Sequence, residues 1–142
     1  MNIYIVKVSI SATGKLVVFP NFCEIEMDTN GSSRIVWVLD DGDEDAYFEL
    51  KQTHGIHHFD WDGPPPPTNL FRNLDISANK RMISIEDRHV EAASANNKGW
   101  GYKLTVNQGT TIYTTPSGSG SGERVGQADP GDRGDHPIII NR

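Results

Sequence analysis

A single cysteine, Cys23, stands in a chain of 142 residues. No disulfide can form within the chain, and a lone thiol fits a reducing compartment. Long apolar runs are missing too, and no stretch approaches the roughly 18 apolar residues a membrane span requires. The 13 Lys and Arg residues are scattered among 19 Asp and Glu, for a net charge of −6. Nothing here forms the clustered basic footprint of a phosphate-backbone binder, so neither nucleic acid nor a membrane is an expected partner. Enzyme signatures are absent as well: no glycine-rich phosphate loop links a strand to a helix, and no nucleophile-elbow pentapeptide occurs. The amino-terminal Met1-Asn2-Ile3-Tyr4-Ile5-Val6-Lys7-Val8-Ser9-Ile10 carries a lysine within its apolar stretch and no small-residue cleavage site after it. It therefore reads as a first strand, not a secretory signal, and the expected location is cytoplasmic.

What the chain does have is period-two alternation, which signals half-buried strands rather than helices. Tyr4, Val6, Val8 and Ile10 fall on one face and Ile3 and Ile5 on the other; Ala12-Thr13-Gly14 then turns into residues 15–19, which predicts a hairpin. Cys23, Ile25 and Met27 alternate with Glu24 and Glu26, as in a sheet with one wet face. Residues 34–39 are nearly all apolar around Trp37 and predict a central strand. Residues 46–50, 81–86, 100–106 and 110–115 predict further strands, the last two as a hairpin across Asn107-Gln108-Gly109. The prolines Pro64 to Pro67 cannot join a ladder and predict an extended connection. Residues 87–98 are the only helix candidate, stopped by Gly99. Residues 117–135, rich in Gly, Ser and Asp, predict a mobile loop, after which residues 136–141, with Ile138-Ile139-Ile140, predict a buried terminal strand.

The pattern predicts one all-β domain over residues 1–142, a two-sheet antiparallel β-sandwich of the immunoglobulin-like kind. Immunoglobulin domains carry Cys on strand B, Trp on strand C, and Tyr two residues before a second Cys on strand F. Here the order is Cys23, Trp37 and Tyr102, with Leu104 where the second Cys would fall. The predicted core therefore joins Cys23, Trp37, Tyr102 and Leu104 without a disulfide.

The segment Trp100-Gly101-Tyr102-Lys103-Leu104-Thr105-Val106, the Asp129-Pro130 pair in the glycine-rich loop and the ending Pro137-Ile138-Ile139-Ile140-Asn141-Arg142 resemble the carboxy-terminal part of the bacterial DP-EP family. The resemblance covers roughly the last third of the chain and rests on short apolar motifs. It implies a small β-sandwich, and the family supplies no established activity and no functional residues.

Two kinds of site are available to such a chain. His54, His57, His58 and Asp60, within His54-Gly55-Ile56-His57-His58-Phe59-Asp60-Trp61-Asp62, combine the ligand types that hold Zn or Ni. Asp40-Asp41-Gly42-Asp43-Glu44-Asp45 could offer carboxylates to Ca²⁺, although it lacks the EF-hand glycine and distal glutamate. No cofactor is otherwise called for: Cys23 lacks the downstream His of a blue-copper site and sits in an alternating strand, where a thiol is core rather than nucleophile. The Arg133-Gly134-Asp135 tripeptide occurs without a secretion signal to display it. The favoured expectation is a non-catalytic binding module for an unknown protein or small ligand, contacted through Trp61 and Trp100 as exposed aromatics. Metal binding through the histidine segment is the alternative. The expected assembly is a monomer or an edge-strand dimer.

Overall fold

A computed structural model describes residues 2–26, 32–49, 61–62, 66, 70–88, 99–116 and 137–141. Twelve strands run through these residues: β1 (Asn2–Ile10), β2 (Leu16–Phe19), β3 (Phe22–Ile25), β4 (Ser33–Leu39), β5 (Ala46–Glu49), β6 (Trp61–Asp62), β7 (Phe71–Ile76), β8 (Met82–Asp87), β9 (Trp100–Tyr102), β10 (Thr105–Gln108), β11 (Thr111–Thr114) and β12 (Ile138–Asn141). No described helix is long and apolar enough to cross a membrane. The chain is an all-β sandwich, as alternation predicts. The helix expected over residues 87–98 does not include Asp87, which ends β8, and residues 89–98 lie outside the described ones.

One layer is a five-stranded sheet in the order β2-β1-β4-β8-β7. Trp37 lies on β4, its central strand, and is fully buried. The opposing layer comprises two ladders, β3-β12-β9-β6 and β11-β10-β5. They share a strand line, because β9 and β10 are separated only by Lys103 and Leu104. The expected continuous strand over residues 100–106 is thus interrupted, while its alternation survives: Trp100, Tyr102, Leu104 and Val106 are all buried.

The registers show what the interruption accommodates. Opposite β10, Glu49 pairs with Thr105; opposite β9, Trp61 pairs with Tyr102. β5 and β6 therefore lie on one line along the ladder. On the other flank Thr114 pairs with Thr105 and Ile138 with Gly101, so β11 and β12 are related in the same way. Reciprocal hydrogen bonds close the gap, from Leu104 N to Thr115 Oγ1 (2.9 Å) and from Thr115 N to Leu104 O (3.1 Å). Tyr102 N donates to Pro137 O at 3.2 Å.

The sheets are mixed rather than antiparallel. β1 and β2 form the predicted hairpin, but β1 runs parallel to β4, and β3 runs parallel to β12. The cause is a crossover: after β2 the chain passes to the other layer as β3 and returns as β4 beside β1, and such a crossover is what parallel neighbours need. The immunoglobulin correspondence of Cys23, Trp37 and Tyr102 is not followed either. Immunoglobulin domains set the Trp strand beside the Tyr strand, whereas Trp37 and Tyr102 face each other from opposite layers. Strand β7 is one that alternation does not reveal, because a register shift between Arg72 and Asp75, with Asn73 at φ 56°, breaks the period of two.

Ile138, Ile139 and Ile140 are all buried, since β12 is flanked by β3 and β9. Gly99 packs against this strand so closely that a Cβ would stand 2.5 Å from Ile139 O, and its φ of +71° also favours glycine. Each buried isoleucine contributes about 1.5–3 kcal/mol, so together they rival the whole net stability of a typical domain. Deleting residues 136–142 should abolish cooperative thermal unfolding; a truncated chain with an unchanged melting temperature would refute this role for β12.

Candidate functional site

Burial corrects the aromatic contact residues first. Trp61 and Trp100 are 1% and 6% exposed. The alternation that turns Tyr102 inward also turns Trp100 inward two residues earlier, and Trp61 pairs with Tyr102 in register. Both indoles pack on Phe71 from the opposite sheet, with centroid separations of 5.1 Å for Trp61 and 5.8 Å for Trp100. They are core residues, not exposed contacts.

His54, His57, His58 and Asp60 lie outside the described residues, as does Arg133-Gly134-Asp135. Among the described residues no group of three or more His, Cys, Asp or Glu side chains could hold a metal ion. The acidic turn of residues 40–45 is organised by a protein cation instead. The Arg81 guanidinium donates to the carbonyls of Asp43 (2.8 Å), Ala46 (2.8 Å), Glu44 (3.3 Å) and Asp40 (2.9 Å). The carboxylates bind the backbone in turn, Asp40 accepting from Gly42 N and Asp43 from Ile10 N, both at 3.0 Å. Cys23 is buried, and burial, aided by the charges of Asp87 and Glu24, pushes its thiol up to about 12. Such a thiol supplies no thiolate near neutral pH.

Of the exposed large apolar side chains among the described residues, Tyr47 (39%) and Ile112 (62%) flank Asn107 in one row of the β11-β10-β5 ladder, and the rest lie on the outer face of the five-stranded sheet. Ile3 (63% exposed), Ile5 (53%), Val17 (43%), Phe19 (73%) and Met82 (45%) all belong to it. Register aligns them across strands: Phe19, Lys7, Val38 and Met82 form one row, and Ile5, Val36 and Ser84 the next. Sequence alternation already put Ile3 and Ile5 opposite Val6 and Val8. The overlooked signal was that both faces of β1 are apolar although only one can meet the core.

One corner of this face is fixed by Glu86. Its carboxylate accepts from Ser32 Oγ (2.6 Å), Asn73 Nδ2 (2.7 Å) and Arg72 (3.2 Å). Arg34 meanwhile donates to Ser84 Oγ and to Asn73 O (2.8 Å). These bonds hold the bulge of β7 at the sheet edge. The hydrogen bond from Ser32, with those from Arg72 and Asn73 and the Arg72 charge, outweighs desolvation and holds the Glu86 carboxyl down to about 2.

The sequence matches no family model and no curated protein.

Two outcomes test this geometry. Tyr102→Phe removes the acceptor for Trp37 Nε1, held at 2.9 Å in the core, and should cost about 1–3 kcal/mol, seen as a lower denaturant midpoint at constant slope; an unmoved midpoint would contradict it. Because the Glu86 carboxyl is depressed on folding, its stabilisation is complete above the ordinary value of 4.5 and is lost as pH falls toward about 2. Glu86→Gln should therefore destabilise at neutral pH by on the order of 2–3 kcal/mol, with the gap to the wild type closing on acidification. A gap independent of pH would exclude this origin.

Proposed function

We propose that the chain is a non-catalytic interaction module that binds a protein partner through the outer face of its five-stranded sheet. The observation that carries this is the set Ile3, Ile5, Val17, Phe19 and Met82 on one sheet face, each more than 40% exposed. Side chains of this kind present on the order of 500 Å² of apolar surface, near the upper end of the largest patches on monomers. Single exposed hydrophobics need no explanation, but a contiguous group on neighbouring strands does. The outer face of a twisted sheet is open rather than concave, which suits a protein surface better than a small ligand, whose sites are concave.

The immunoglobulin-like reading belongs to the same proposal. The order β1-β4-β8-β7 matches A-B-E-D, and β6-β9-β12 matches C-F-G, which supports the type despite the parallel pairs. The DP-EP resemblance agrees with a sandwich and adds no activity. A net charge of −6 argues against nucleic acid, and the lone buried thiol favours a cytoplasmic setting.

The test is affinity capture from native extract with the wild type and an Ile5→Lys/Met82→Lys variant side by side. Proteins retained by the first and lost by the second would support the face as the binding surface; identical retained sets would overturn it.

A further inference from the structure

We propose that the partner of this face is a second copy of the same chain, packed sheet on sheet about a two-fold axis. The inference rests on the interaction-module reading and names its partner.

Area argues for it first. A standard stable interface buries about 800 Å² per partner. The apolar side chains of the face would supply on the order of 500 Å² of that, leaving a polar rim to complete it. Homodimer interfaces are also the more apolar class, resembling a core cut in half. Shape argues for it next. Two twisted sheets pack face to face with their strands within about 30° of alignment, and outward side chains interdigitate as they do inside a sandwich. The sheet that offers such a face is therefore a suitable partner for itself, and a two-fold dimer uses the same patch on both subunits.

Charge is the third consideration. A chain of net charge −6 meets its own copy against repulsion unless the meeting surfaces are balanced. The register puts Lys7, Arg34, Arg72, Asp75 and Glu86 on this face. Three are positive and two negative, and Arg72 and Glu86 are already paired at 3.2 Å. The acidic excess therefore lies elsewhere, as in the turn of residues 40–45, and the face carries little charge to oppose self-association. Lys7, in the apolar row between Phe19 and Val38, can lay its methylene stem along the patch with its ammonium at the rim.

The decisive measurement is sedimentation equilibrium of the full chain from about 1 to about 100 μM. The wild type should approach the dimer mass within that range. Ile5→Lys and Met82→Lys should each raise the dissociation constant at least tenfold, with thermal melts showing that the exposed-site variants still fold. Ile112→Lys, at an exposed residue of β11 in the other layer, should leave the constant unchanged. A wild type that stays monomeric throughout overturns the proposal; if Ile5→Lys still loses captured proteins in that case, the interaction-module reading survives with a different partner. A dimer unmoved by Ile5→Lys and Met82→Lys also overturns it, since those residues lie on β1 and β8, away from the β2 edge, and pairing would then run along that edge or another surface.

Discussion

A buried polar contact at the centre of the core links the two layers. The Trp37 indole donates to the Tyr102 hydroxyl at 2.9 Å, and the rings meet edge to face with centroids 5.3 Å apart. Apolar packing is non-directional and would tolerate a shift of one sheet over the other. A buried N–H left without an acceptor would not, because it would carry its full desolvation cost. Each layer therefore has to bring its half of the pair to one point between the sheets. Phe71, clasped by Trp61 and Trp100 from the facing layer, fixes a second point, and two points determine how the sheets align. Burial raises the Tyr102 hydroxyl well above its ordinary range, against the Trp37 hydrogen bond, so the phenol stays neutral and remains an uncharged acceptor in the core.

With that alignment set, the second layer can be interrupted without losing the core. The central line of β9 and β10 breaks at Lys103-Leu104, and both flanking lines break at the same level, after Glu49 on one side and after Thr115 on the other. Leu104 is 2% exposed at the break itself. The apolar alternation passes through the interruption although the ladder does not, because burial depends on which way side chains point, while pairing depends on the partner strand being present.

Much of this was legible from single strands and little of it from their relations. Period-two patterning identified the inward sets on β1, β3 and β8, marked Trp37 as central and anticipated that the three terminal isoleucines would be covered. It did not reveal that β12 lies between β3 and β9, nor that two neighbouring pairs run parallel, since neither direction nor neighbour is written in the period of one strand. Strand β7 was hidden because its bulge, held by Arg34 and Glu86 from other strands, erases the period locally. The tryptophans were misjudged as surface residues for a related reason. Proline and glycine neighbours marked loops nearby, but the strand parity that sends Trp100 the same way as Tyr102 is stronger information than the composition around it.

The outer faces of the two layers make the final contrast. Strands favour β-branched and aromatic residues on either face, and threonine satisfies that preference in water as well as isoleucine does. The second layer follows this pattern in its outward Glu24, Glu49 and Thr114 and departs from it in one row, where Tyr47 and Ile112 flank Asn107. The first layer does not: β1 presents Ile3 and Ile5, β2 presents Val17 and Phe19, and β8 presents Met82. These side chains remain largely in water, so their apolar area does little for folding, and they leave a solvated sheet face more prone to association. Fold requirements are met equally well by the polar pattern next door. Folding alone does not call for the apolar excess on the first layer, and the proposed contact with a second copy rests on that excess.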